Sequence, residues 1–243
     1  MQSLVKSDIG VVRAENQDKA TILEKDGIVL SVLCDGMGGH TGGSYASRLT
    51  IEAVEKEFIK HTPHSSDELF PWFKDALKRA KKLMEKAAKN DKPLLDMGTT
   101  VTLTLFYPDG NAYIFNVGDS RTYIYNGLLH QITVDHNLRN YYINEEGLSP
   151  EKAANILGGA ALTSALGPRK TTRIDAFQVS INKETEYIIQ TSDGIHDYLT
   201  KPQFESIVGS KKPLEEICDE LIETAIKGNS GDNLTIAIVK VRG

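Results

Sequence analysis

The chain has 243 residues, 40% hydrophobic and 25% charged, the make-up of an ordinary folded protein. A formal net charge of −5 gives no whole-molecule attraction to nucleic acid or an anionic membrane, and neither is expected as a partner. No apolar run is long enough to span a bilayer and the first residues lack a signal-peptide pattern. The two distant cysteines, Cys34 and Cys218, have no pairing motif, so a reduced, cytoplasmic setting is expected.

Residues 3–18 begin as a short strand and turn polar. The runs Ala20–Glu24 and Ile28–Leu33 flank Asp26-Gly27, a two-residue hairpin signal. If Lys25 pairs with Ile28, opposite residues have numbers summing to 53, and Asp18 faces Asp35. Like charges directly opposite destabilise a strand pair, and a divalent cation between them removes the objection. Five glycines follow Asp35 within Gly36–Gly43, where the backbone can bend sharply and offer carbonyl oxygens to a hard cation. No Gly-Lys-Ser/Thr follows them, so a phosphate-cradling P-loop is disfavoured. Cys34 reads as a buried strand cysteine rather than a nucleophile.

Helices are predicted over Ser44–Lys60 and, after a polar break at His61–Ser66, through a stripe of Leu69, Phe73, Ala76, Ala80, Leu83 and Ala87, widened by Trp72, Leu77 and Met84. The opposite, lysine-rich face reads as solvated. From Thr99 the period changes to two, giving strands at Thr99–Tyr107, Asn111–Val117, Arg121–Asn126 and Leu128–Thr133. Short helical pieces follow, one opening at Ser149-Pro150. Strands return at Ile174–Ile181 and Thr185–Thr191, then helices at Pro202–Val208 and Leu214–Lys227, and a last strand at Leu234–Val241. With no repeat and no linker, residues 1–243 read as one α+β domain: two antiparallel-rich sheets face to face with helix pairs outside.

Five aspartates fall at strand ends beside turn residues: Asp18, Asp35, Asp119, Asp193 and Asp232. Each alone is a plain turn residue as readily as a ligand. Together, without histidine or cysteine spacing, they favour magnesium or manganese over zinc. Four of these charges, at Asp18, Asp35, Asp193 and Asp232, are neutralised by two divalent ions. Such a pair, about 3.5–4 Å apart, can hold a bridging water and clamp a displacement at phosphorus. Arg13 can offer a bidentate fork to phosphate oxygens. His40 and His136 are both candidates to protonate the leaving alkoxide, whereas His61, His64, His130 and His196 read as surface or loop residues.

These stretches resemble the metal-dependent protein phosphatases of the protein phosphatase 2C type, in their compact bacterial form. The resemblance rests on Ser7–Asp18, Asp35–His40, Gly98–Thr100, Gly118–Arg121, Asp135-His136, Leu162–Gly167, Ser192–Gly194 and Asp232–Thr235, in order over essentially the whole chain. The chain departs from the family pattern at Asn137, at Asn155–Gly159 and at His196. The resemblance implies a four-layer α-β-β-α sandwich and hydrolysis of phosphoserine and phosphothreonine with two or three Mn2+ or Mg2+ ions. By position it implies that Asp35 bridges two metals and the Gly36 carbonyl binds one. Asp193 and Asp232 would hold the other metal, Asp18 would support through water, and Asp119 would serve a third site. Arg13 would take the substrate phosphate, so the expected catalytic set is Arg13, Asp35 and His40. The expected partners are phosphoproteins made by a serine/threonine kinase, and the expected state is a monomer. Residues 137–172 are expected to form a flap beside the site.

Overall fold

The computed structural model describes residues 1–39 and 41–241. Its strands, in chain order, are β1 (Gln2–Asp8), β2 (Lys19–Lys25), β3 (Ile28–Cys34), β4 (Gly36–Met37), β5 (Gly98–Thr99), β6 (Val101–Phe106), β7 (Asn111–Val117), β8 (Arg121–Tyr125), β9 (Leu129–Gln131), β10 (Asp175–Ser180), β11 (Tyr187–Thr191) and β12 (Leu234–Lys240). The helices are α1 (Gly42–Lys60), α2 (Ser66–Asn90), α3 (Leu138–Asn144), α4 (Pro150–Ala154), α5 (Asp193–His196), α6 (Lys201–Val208) and α7 (Leu214–Lys227).

Two five-stranded antiparallel sheets form, ordered β1-β12-β11-β8-β9 and β10-β7-β6-β3-β2. The β2–β3 register sums to 53 as expected, with Lys25 opposite Ile28 and Lys19 opposite Cys34. Asp26 and Gly27 both have positive φ, 53° and 76°, as a type I′ turn requires.

Alternation along the strands sorts side chains into layers. Leu30, Val32, Leu103, Leu105, Phe115 and Val117 face outward and pack under α1 and α2, where Phe73 stacks on Phe115 at 4.7 Å between ring centroids. Tyr123, Ile189, Ile236 and Ile238 pack under α6 and α7. The result is the expected α-β-β-α sandwich. Between the sheets the core is small: Val29, Phe106, Ala112, Ile188, Val239 and Val241. Beside it runs a hydrogen-bonded polar seam. Ser31 Oγ donates to Gln190 Oε1 at 2.6 Å, Gln190 Nε2 donates to the Thr102 carbonyl at 3.1 Å, and the Thr102 and Thr122 hydroxyls meet at 2.7 Å.

Several local readings change. On α2 the buried line runs through Trp72, Phe73, Ala76, Leu77, Ala80, Met84 and Ala88, so residues read as flanking are central, while Leu83 turns outward. A hundred degrees per residue over a long helix drifts the stripe past a fixed list of positions. The short helices α3 and α5, a 3-10 turn at Lys92–Asp96 and the two-residue ribbon β4–β5 are too short to announce themselves by periodicity. Among the described residues, no helix is long and apolar enough to cross a membrane.

Candidate metal centre

All five aspartates lie at one end of the sandwich. Asp18 precedes β2 and Asp35 follows β3, so the hairpin register sets them side by side. The pairing of β11 with β12, Thr191 opposite Ile236, brings Asp193 and Asp232 to the same end, and Asp119 follows β7. A cleft of about 270 Å³ is lined by Arg13, Asp35, Gly36, Asp119, Asp193 and Asp232, with Met37, Ala160 and Leu162 among its apolar walls.

Buried hydrogen bonds set each acid in place. The Asp35 amide donates to Thr100 Oγ1 at 2.9 Å, and its carbonyl accepts from the Thr100 amide and the Thr99 hydroxyl. Thr100 Oγ1 in turn meets Ser120 Oγ at 2.7 Å, between Asp119 and Arg121. Asp18 is 2% exposed and accepts from Ser192 Oγ at 2.7 Å, a bond from one sheet to the other. Asn233 is the pin for the arginine loop. Its Nδ2 donates to the Ile9 and Glu15 carbonyls at 2.9 and 3.0 Å, and its Oδ1 accepts from the Gln17 amide at 2.9 Å. Close backbone approach needs glycine at two points. A Cβ on Gly194 would lie 2.0 Å from the Asn233 carbonyl oxygen, and one on Gly36 would lie 2.2 Å from that of Gly43.

Electrostatics make the cluster costly when left bare. Burial, opposed in part by the Ser192 hydrogen bond, pushes Asp18 up to about 6. Burial and then the Asp232 and Asp18 charges push Asp193 up to about 6. Burial and the Asp193 charge take Asp119 to about 8. Asp35 is raised well above the ordinary range by burial first, then by Asp18, Asp193, Asp119 and Asp232. Asp193 Oδ1 is buried with no hydrogen-bond partner among the described residues. An orphaned carboxylate oxygen facing further carboxylates is what a hard cation satisfies, so the residues fit divalent metal. Among the described residues, no three such side chains close on one point as a finished cage. Asp232 is engaged by Arg13, whose Nη2 donates to its Oδ2 at 2.7 Å. Arg13 lines the cleft as expected, but bonds a candidate ligand rather than standing free for phosphate.

The histidine expectations fare unevenly. His40 lies outside the described residues. His136 is buried and does not line the cleft. Its Nδ1 accepts from the Gly118 amide at 3.1 Å, so its ring proton sits on Nε2, which donates to Asp175 Oδ2 at 3.0 Å. It fastens the start of the 137–172 segment to the strand end before Asp119. Arg121 does the same for Asp135, reaching it from Nη2 at 2.6 Å and Nε at 2.9 Å. His196 is a correction. It is buried in α5 with Nδ1 2.8 Å from Thr191 Oγ1, and burial holds its pKa well below 6.5. A four-residue helix gave no periodic pattern to show it facing inward.

Sequence reasoning missed Asn233, Ser192, Thr100 and Ser120 as site residues. For Ser120, Ser192 and Asn233 the local signal was a hydroxyl or amide beside a strand-end acid, whereas Thr100 has no acid next to it in the chain. The comparisons agree with the geometry. The sequence pattern of the family described as Protein phosphatase 2C matches residues 11–225. The chain belongs to the protein phosphatase 2C family. The serine/threonine phosphatase stp of Listeria welshimeri is 29% identical over 243 residues, covering 99% of this chain and 96% of that protein. The crystal structure of the serine/threonine phosphatase Stp1 from Staphylococcus aureus superposes with a TM-score of 0.89 at 27% identity, over 100% of this chain and 95% of that one. The catalytic domain of the serine threonine protein phosphatase PstP, in complex with 2 manganese ions, matches with a TM-score of 0.81 at 26% identity, over 98% and 97%. This family member is a divalent-metal-dependent protein serine/threonine phosphatase acting on phosphoproteins.

Proposed function

We propose that Asp18, Asp35, the Gly36 carbonyl, Asp193 and Asp232 hold two Mn2+ or Mg2+ ions, with Asp119 at a third, weaker site. The observation that carries this reading is the orphaned Asp193 Oδ1 among acids raised by burial and mutual repulsion. When bound, the ions supply a hydroxide-like nucleophile and neutralise charge for in-line displacement at phosphorus. The chain's own residues do the rest. Arg13 leaves Asp232 to bind and orient the substrate phosphate, a charge-assisted contact that a guanidinium makes with two parallel hydrogen bonds. Asn233 keeps the Arg13 loop at a fixed height over the cleft, and the Thr100–Ser120 hydroxyl pair holds Asp35 and Asp119 at fixed spacing.

His40, in the glycine loop, is proposed as the donor to the leaving alkoxide, because the ring nitrogens of His136 are both engaged. Residues 137–172 are proposed as the substrate-facing flap of a single 1–243 domain. Ala160 and Leu162 line the cleft, and the bridges Thr99–Leu166 and Asn137–Leu162 hinge the segment at its ends. A serine/threonine kinase supplies the phosphoproteins, in cytoplasmic signalling by a monomer with no nucleic-acid or membrane partner. Phosphate release from a phosphothreonine peptide, measured with manganese or magnesium and again with chelator, tests the reading. Release should need metal, and ATP should be left intact. Full turnover after thorough metal stripping would remove the two-metal site.

A further inference from the structure

The loop that brings Arg13 to the cleft also carries three exposed β-branched side chains. Ile9, Val11 and Val12 are 40%, 68% and 72% exposed. Single exposed aliphatics are ordinary, but three within residues 9–12, on a loop beside a polar cleft, mark a contact surface. The loop is built to hold them outward. Asn233 grips it at the Ile9 and Glu15 carbonyls, and the Gly10 amide donates to Asp8 Oδ1 at 2.7 Å. Gly10 has φ of 76°, and a Cβ there would lie 2.3 Å from the Asp232 carbonyl oxygen. Val12 stands over the strand end that carries Asp232, since a Cβ built on Gly231 would meet Val12 Cγ2 at 3.7 Å. Met37, Ala160 and Leu162 continue the apolar lining within the cleft. Between residues 8 and 18 Arg13 is the single cation, among Asp8, Glu15 and Asp18.

Resting on the phosphatase reading above, we propose that Val11 and Val12 form a subsite for an apolar side chain adjoining the phosphorylated residue. A phosphate held by Arg13 places the next residue, about 3.3–3.6 Å further along an extended chain, over this pair. Aliphatic or aromatic neighbours bury apolar surface there. An acidic neighbour meets Asp8 and Glu15 with no cation to spare once Arg13 holds the phosphate.

The test is steady-state kinetics of the full chain with manganese. Its substrates are phosphothreonine peptides with Leu, Ala, Asp or Lys on either side of the phosphoresidue, and an aryl phosphate with no peptide. The Leu peptide should exceed the Ala peptide about tenfold in kcat/KM, the discrimination typical of a small apolar pocket, and the Asp peptide should be the poorest. In Val11→Ser/Val12→Ser that advantage should vanish through KM, with aryl phosphate hydrolysis unchanged. If this variant loses aryl phosphate hydrolysis too, the shape-conserving Val11→Thr and Val12→Thr variants replace it. Equal wild-type rates on all peptides, or a preference that survives the substitutions, overturn the subsite. Wild-type protein that hydrolyses neither peptide nor aryl phosphate would remove the phosphatase reading itself.

Discussion

The Arg13 guanidinium donates from Nη2 to Asp232 Oδ2 at 2.7 Å, joining a loop near the start of the chain to a strand end near its finish. The pair is half open to water, so its strength is screened and exchange of partners is cheap. On the proposed roles, a cation at Asp232 and a phosphate on Arg13 would each replace one half of it, and metal and substrate binding would be coupled through one ion pair.

Replacing Arg13 by Ala should therefore raise KM for phosphorylated substrates, with a lost charge-assisted contact costing about 1.5–3 kcal/mol. Metal affinity should hold or tighten, because Asp232 loses a competitor. Calorimetric titration with manganese checks this. A collapse of metal affinity would show that Arg13 holds Asp232 in its binding position instead.

Replacing Asp193 by Asn removes a charge from the cluster and an oxygen from the proposed ligand set. Turnover should be abolished while the metal-free protein stays as stable as before or gains, since repulsion with Asp232 and Asp18 is relieved. The stabilisation by metal, about 2.7 kcal/mol at a hundredfold excess over Kd, should be lost. Thermal melts with and without manganese read both effects. A large loss of metal-free stability would mean that Asp193 is a structural residue.

Asp18 and Asp193 are held at about 6 and Asp119 at about 8, against an ordinary 3.8. Between about pH 4 and 8 the folded chain then binds more protons than the unfolded one, so its stability falls as pH rises. Buried His196 acts the other way, contributing stability above 6.5 that is lost as pH drops. The three acids outweigh it. Urea melts of metal-free protein should show greater stability at pH 5 than at pH 8, and manganese should narrow or reverse the difference, with protons released on binding. Greater metal-free stability at pH 8 would sink the claim that these acids are held protonated.

Asn233→Ala should loosen the Arg13 loop. Three hydrogen bonds from a buried amide are lost, at about 0.5–1.5 kcal/mol each. KM should rise, and amide exchange should quicken at residues 9–17 while β6 stays protected. Unchanged exchange in that loop would assign its rigidity elsewhere.

In the proposed flap, α3 and α4 are short and few of their side chains are buried. Amide exchange over 140–160 should be faster than in β6. Shortening that stretch should change turnover of a phosphoprotein more than of an aryl phosphate. Protection equal to β6, with both substrates affected alike, would make the segment core structure.

What the sequence determined by itself was local. Asp26-Gly27 admits the positive φ of a two-residue turn, and that turn alone sets the register that puts Asp18 beside Asp35. Period-two alternation located the strands, and the acids at their ends marked the end of the sandwich where the carboxylates gather. Bonds between segments distant in the chain arise only in the folded molecule. Ser192 reaches Asp18 across 174 positions, Asn233 grips residues 9–17, and the Thr and Gln side chains of the polar seam meet only when two sheets close on each other. A strand's alternation says which residues share a face, but not which face of which other sheet will lie against it. That choice fixed the engagement of His136 with Asp175, the burial of His196 and the pairing of Arg13 with Asp232. Each depends on surfaces whose contact is set by the packing of the whole molecule rather than by neighbours along the chain.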